Sequence, residues 1–140
     1  GFNFGTEDKI LRWLHRGDTI YDVIIPDDAE VILCDENKGV YRANKIIVSN
    51  PRKITDNLVM DLYKKTTLSN KILADCLVTL IWKDRIEISK YIINDMINKN
   101  NVDEFYTEFI NYSSKNDFEN DELKAKYKEL EDMLLKIKMY

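Results

Sequence analysis

The periodicity of this chain changes at Pro51, and that change constrains the fold more than any other feature. Before Pro51, β-branched and aromatic residues form short runs bounded by turn residues, a pattern typical of strands. After Pro51, apolar residues recur every three or four positions, as they do in helices that bury one face. The sequence therefore predicts an α+β fold, with a small β-rich unit over 1–50 and a helical unit over 51–140 packed on it as one compact domain.

In the β-rich unit we expect one helix and about three strands. Thr6 is placed to cap the helix EDKILRWLHR, and Gly17 stands where a left-handed C-cap is expected. Asp27 and Asp28 form the first turn between strands. The predicted strands have the sequences TIYDVIIP, EVILC and VYRANKIIVS, and Pro51 ends the last of them.

In the helical unit the capping residues and the periodicity predict five helices. Thr55 and Ser69 precede DNLVMDLYKK and NKILADCLVTLIW, and Asp84 with Glu87 forms a capping-box pattern before RIEISKYIINDMINK. A short helix, VDEFYTEFINY, and a polar break, SSKNDFEND, follow. The last predicted helix, DELKAKYKELEDMLLKIKMY, is the longest.

The last helix carries the most specific pattern in the sequence, an apolar seam with alternating spacings of four and three. An isolated helix of about twenty residues is marginal in water, so this seam must pack on the chain itself or on a partner. Packing within the chain is favoured; the alternative is a protein-binding or homodimerising surface. The seam residues are Leu123, Tyr127, Leu130, Leu134 and Ile137.

A basic cluster interrupts an otherwise acidic chain. The net charge of -4 and the pI of about 5.1 argue against a general nucleic-acid binder, which would usually be strongly basic. We interpret the cluster as an ordinary charged face, and the alternative is an anion or nucleic-acid patch. Its residues are Arg42, Lys45, Arg52, Lys53, Lys64 and Lys65.

The other candidate residues suggest little chemistry. His15, the only histidine, has no neighbouring catalytic partner and suits the end of a helix. Asp22 and Glu30 are the acids within strand-like runs; we expect them in solvent, and the alternative is an inward-facing functional carboxylate. Cys34 and Cys76 lie in apolar runs and are expected to be buried free thiols.

The sequence predicts no catalytic residue, no metal site and no cofactor. A single histidine and two distant cysteines cannot form a typical zinc site, and the dispersed glycines form no phosphate-binding loop. We find neither a membrane span nor a signal peptide, so a cytoplasmic location is expected. The chain begins with Gly1 rather than Met, which is consistent with a tag remnant or an excised fragment.

Two stretches carry a family resemblance, GFNFGTEDKILRWLHRGDTIYDVIIPDDAEVI and VYRANKIIVSNPRKITDNLVMDLYKKTTL. They resemble a module of uncharacterised proteins of low-GC Gram-positive bacteria and their phages, over roughly the first half of the chain. That resemblance implies no activity. The piece GFNF…ILRWL…GDTIYDVIIP is also similar to the later strands of ADP-ribosyltransferase-like folds, but the residues that such enzymes need cannot be aligned here.

From these observations we expect a non-enzymatic protein–protein interaction module of bacterial or phage origin, with phage–host conflict as a candidate context. One alternative is a fragment of an ADP-ribosyltransferase-like enzyme whose active-site residues lie upstream of Gly1. A second alternative is weak nucleic-acid binding through the basic cluster, which the acidic total disfavours. The identity of the partner protein cannot be derived from the residues.

Overall fold

The computed structural model describes residues 1–115 and 118–140. Its contacts divide the chain into two compact units, Gly1–Leu68 and Ser69–Tyr140. The fold is α+β, as predicted, with strands in the first unit and helices alone in the described part of the second. The division falls later than residue 50, because the first α-helix contacts the N-terminal helix and belongs with the strands.

The N-terminal unit contains two small antiparallel sheets. The first has the strand order β1-β4-β3, and the second is a ribbon of β2 and β5. Its elements are β1 (Phe2–Phe4), a 3-10 helix (Glu7–Arg16), β2 (Thr19–Ile24), β3 (Val31–Asp35), β4 (Val40–Ala43), β5 (Ile47–Lys53) and α1 (Asp56–Lys65).

The strands TIYDVIIP and EVILC are confirmed as β2 and β3, but the third predicted strand is wrong in its extent. It divides into β4 and β5, which lie in different sheets, and β1 was not predicted. Pro51 does not end β5. The strand continues through it because, among the described residues, β5 pairs with β2 alone, where a missing N–H is tolerated, and Asn50 turns with a φ of 51°.

The N-terminal helix forms where predicted, but both of its ends differ from expectation. It is a 3-10 helix, and the Thr6 side chain makes no capping hydrogen bond. Gly17 has a φ of 170°, which is extended backbone, so the expected left-handed cap is wrong. The extended Gly17 instead leads the chain directly into β2.

The core of the N-terminal unit lies between the 3-10 helix and α1. Leu11 and Leu14 are buried on the first, and Val59 and Leu62 are buried on the second. The end of α1 is fixed to the same helix by backbone hydrogen bonding, since the Thr67 N–H donates to the Asp8 carbonyl at 3.0 Å. This core is helical, so the strands contribute little to it.

The C-terminal unit is built around its most apolar helix, α2 (Asn70–Trp82), which contacts the other three. These are α3 (Ile86–Met96), α4 (Val102–Ser114) and α5 (Asp121–Met139). The central position of α2 explains its composition, because nine of its 13 residues are buried. No helix within residues 1–115 or 118–140 combines the length and apolarity that a bilayer crossing requires.

Of the caps predicted for the helices after Pro51, those at Thr55 and Ser69 are confirmed and the one at Asp84 is wrong. The Thr55 hydroxyl accepts a hydrogen bond from the Leu58 N–H, and Ser69 caps α2 in the same way. Asp84 does not cap α3, which begins at Ile86. Asp84 instead takes a φ of 57° one residue before the N-cap position, Arg85, and its exposed carboxylate forms an ion pair with Lys126 at 2.5 Å.

The predicted polar break SSKNDFEND is only partly a break. Its two serines lie at the end of α4, and the Asn120 side chain caps α5 by accepting from the Leu123 N–H at 2.8 Å. Asn116 and Asp117 lie outside the described residues.

Candidate interaction surface

The clearest candidate site of the described residues is the outer edge of β3. In the strand order β1-β4-β3, this strand pairs with β4 on one side and with no strand of the described chain on the other. A strand edge of this kind presents backbone N–H and C=O groups to any further strand that approaches it. The free edge of β3 is therefore a template for strand addition.

The hydrogen-bond pattern identifies the residues whose backbone groups face the free edge. The Asn44 N–H donates to the Glu30 carbonyl at 3.2 Å, which makes these two residues a hydrogen-bonded pair. Hydrogen-bonded and non-hydrogen-bonded pairs alternate along antiparallel strands. The backbone groups of Val31 and Leu33 therefore point away from β4, while those of Ile32 point toward it.

Three consecutive apolar side chains on this strand are exposed to solvent. Val31 is 44% exposed, Ile32 57% and Leu33 52%. Since alternate residues of a strand point to opposite faces, both faces of the strand are apolar and accessible here. Soluble proteins usually protect such an edge with charges, prolines or a covering element, and Val31–Leu33 carries neither charge nor proline.

One face of this sheet extends the apolar surface beyond β3. The register places Phe2 and Val31 on either side of Ala43, and Phe4 and Leu33 on either side of Tyr41. Ala43 is buried, but Phe2 is 54% exposed. The Phe4 and Tyr41 rings stack with centroids 5.5 Å apart, which adds a pair of aromatic rings to this face.

Acidic residues border the apolar run at both ends. The ten residues from Asp27 to Glu36 hold five carboxylates and no Lys or Arg. Asp28 forms an ion pair with Lys45 at 2.5 Å, and one Asp35 oxygen accepts the Lys38 N–H of the following turn. The side chains of Glu30 and Glu36 are exposed. The Glu30 side chain is thus in solvent rather than inside the unit.

Asp22 has a structural role on the other sheet. Its carboxylate accepts from Asn50 Nδ2 at 3.1 Å and from Arg52 Nη2 at 3.0 Å, across the bulge in the β2–β5 pairing. Arg52 Nη1 also donates to the Asn50 carbonyl at 2.7 Å. The hydrogen bond from Asn50, and then that from Arg52, hold the pKa of Asp22 below its ordinary value. Asp22 is exposed, as expected, and holds the irregular part of the ribbon together.

Three of the six residues of the basic cluster pair with carboxylates of the same unit. Arg52 pairs with Asp22, Lys45 with Asp28, and Lys65 with Glu7 at 2.6 Å. Arg42 donates through Nε to the Asn3 side chain at 3.1 Å. Lys53 and Lys64 are exposed at the ends of β5 and α1. Anion or nucleic-acid binding by the cluster remains a prediction, and these pairings weaken its physical basis.

The seam of α5 faces the interior of the C-terminal unit. Leu130 and Leu134 are 0% exposed, and Leu123, Tyr127 and Ile137 are half-buried. The Tyr127 ring stacks on Phe109 at 4.8 Å, and its hydroxyl lies 2.8 Å from the Ser113 hydroxyl. Packing within the chain therefore accounts for the two leucines. Partner binding by the seam remains a prediction, for which the half-buried residues offer the accessible surface.

His15 and the two cysteines complete the candidates. His15 Nδ1 donates to the Arg12 carbonyl at 2.9 Å in the last turn of the 3-10 helix, which suits a helix end. Cys76 is buried and not in a disulfide, as expected, but Cys34 is exposed, because β3 lies at the sheet edge. The described residues contain no group of three or more His, Cys, Asp or Glu side chains arranged to hold a metal ion.

Sequence reasoning missed the β3 edge because strand order is a non-local property. The run EVILCDE shows the apolar residues and the bordering acids, but it does not show that one side of the strand has no neighbour. Comparisons with family models, with curated proteins and with solved structures find no match to this chain.

Proposed function

We propose that the chain is a protein-binding module and that its N-terminal unit binds a partner through the free edge of β3. The observation that carries this proposal is the exposure of Val31, Ile32 and Leu33, three consecutive apolar residues on an unpaired strand edge. An added strand would bond to the outward backbone groups and cover these side chains, a known mode of peptide recognition.

The edge can be tested with a substitution that blocks strand addition but leaves the pairing with β4 in place. Proline fits at the first residue of a strand, and the N–H that Val31→Pro removes points toward the free edge. Val31→Thr is the matched control, because it keeps both the N–H and the β-branched shape.

A library of displayed peptides should be selected on the full chain and the recovered peptides measured by calorimetry. We expect binders that Val31→Pro weakens at least tenfold and that Val31→Thr leaves within a few-fold, with circular dichroism showing both variants folded. Selection of no binder, or of binders that a folded Val31→Pro protein still holds fully, would contradict the proposal.

A further inference from the structure

We infer that the occupant of the β3 edge is an extended segment of another protein, with alternating apolar residues and with basic residues at both ends. This inference rests on the proposed function and adds the chemistry of the partner. It follows from the charges that border the apolar run, and it also explains why a second copy of this chain is not the occupant.

The charges that border the apolar run are mostly negative. Asp27 and Glu30 precede the apolar run, Asp35 and Glu36 follow it, and Asp28 is the member of the group that a lysine neutralises. Lys38, in the following turn, is the nearest cation along the chain. Four carboxylates against one lysine give the edge a negative border that favours a partner with positive charge in the same positions.

The nearest cation across the strands is directed elsewhere. Arg42 is the cross-strand neighbour of Ile32, but its Nε donates to Asn3 on β1, at the far side of β4. Lys45 is bound to Asp28. The carboxylates of Glu30 and Glu36 are therefore exposed to an approaching strand, without a cation of their own sheet placed against them.

Self-pairing of β3 would bring like charges together in either direction. An antiparallel pair centred on Leu33 places Glu30 of one copy opposite Glu36 of the other, and centring on Ile32 places Glu36 opposite Asp28. A parallel pair places each acid beside its equivalent. Like charges directly opposite are destabilising, so the border disfavours a homodimer at this edge and admits a basic-ended strand.

The length of the regular edge limits the part of the partner that is bound. The register with β4 is regular over Val31–Leu33 and shifts between Leu33 and Asp35. A bulge bends a strand and interrupts its pairing. The partner segment therefore needs only a few alternating residues between its basic ends, and its affinity depends on both the backbone bonds and the terminal charges.

Three capped peptides test the charge requirement on the full chain. In each, Val and Thr alternate in the centre, and the two ends carry pairs of Lys, of Glu or of Ser. We expect the Lys-ended peptide to bind about tenfold more tightly than the Glu-ended one in low salt, and the difference to shrink near 0.5 M salt, because exposed charges are screened. Equal binding of all three peptides would overturn the inference while leaving the proposed function intact.

A charge reversal on the protein gives the reciprocal test. Glu30→Lys and Glu36→Lys should each reduce the preference for the Lys-ended peptide, and the double variant should prefer the Glu-ended one. Glu119→Lys is the matched control, since it reverses an exposed carboxylate of the C-terminal unit and should leave the preference unchanged. An unchanged preference in the double variant would refute a role for these acids.

Peptide N-methylation separates strand pairing from simple apolar adhesion. Two versions of the Lys-ended peptide are compared, one methylated on its odd-numbered amides and one on its even-numbered amides. One version should lose binding and the other should keep it, because alternate N–H groups of a strand face opposite sides. Equal effects of the two methylation patterns would contradict edge pairing. Sedimentation of the chain alone should show no dimer that depends on the β3 edge. A dimer that Val31→Pro dissociates would identify a second copy as the occupant and overturn the inference.

Discussion

Truncation of Leu134 to alanine should destabilise the C-terminal unit by about 2–5 kcal/mol. The Leu134 side chain is 0% exposed, and its helix, α5, contacts α2, α3 and α4. Burial of a complete leucine side chain contributes roughly 1.5–3 kcal/mol, and the cavity left by truncation adds to the loss. Since a small domain is stable by about 5–15 kcal/mol, this single change removes a large part of the total.

Urea denaturation followed by tryptophan fluorescence measures this loss of stability in the C-terminal unit. The centroid of the Trp82 ring lies 5.6 Å from that of Phe118 and 6.3 Å from that of Tyr112, so its emission reports on packing in the C-terminal unit. A Trp13→Phe background removes the only other tryptophan. Leu134→Ala should lower the urea midpoint clearly, whereas Met139→Ala, at a position 71% exposed, should change stability by less than about 0.5 kcal/mol.

The same experiment can refute the packing argument. Suppose that the urea midpoint of Leu134→Ala equals that of the Met139→Ala control while the sedimentation of the chain changes. The α5 seam would then form a contact between two chains. The dimerising alternative would then explain the heptad spacing better than packing within the unit does.

Three further changes test smaller features. Tyr127→Phe should destabilise the C-terminal unit by about 0.5–1.5 kcal/mol in urea titrations, because it removes the hydrogen bond to Ser113. Asp22→Asn should make the stability of the N-terminal unit depend less on pH in the acid range. Because the pKa of Asp22 is lowered, its stabilisation is present above its ordinary pKa of 3.8 and is lost as the pH falls below that value. Thermal melting at several pH values, followed by Trp13 fluorescence, measures this dependence. His15→Gln should leave the melting temperature nearly unchanged and the affinity for the peptide within a few-fold of that of the unchanged chain. A hundredfold loss of affinity would assign His15 a direct role in binding.

The helices could be predicted from the sequence because their determinants are local. The Ser69 side chain accepts a hydrogen bond from the Ile72 N–H three residues later, and the apolar residues of α2 follow directly. The capping residue and the residues that are buried therefore belong to one short segment of the sequence. The same holds for Thr55 and α1. The Asp84 cap was wrong because the chain turns at Asp84 with a φ of 57° and α3 begins at Ile86, with Arg85 at the N-cap position.

The strands were harder to predict because their pairing depends on distant segments. VYRANKIIVS has β-forming residues throughout, yet its two halves pair with different partners, β4 with β1 and β3, and β5 with β2. Asn44 marks the change, since its side chain accepts from the Glu30 N–H and its own N–H donates to the Glu30 carbonyl. No period within one strand contains that information.

The distribution of exposed apolar side chains between the two units supports a binding role for the first. Of the eleven large apolar residues that are exposed in the described part of the chain, eight lie on the strands of the N-terminal unit. The C-terminal unit, of similar length, exposes three large apolar residues, Tyr91, Met139 and Tyr140. Small size alone would expose apolar surface in both units. Exposure that is concentrated on the strands, and continuous over Val31–Leu33 at a free edge, is the feature that binding of a partner strand requires.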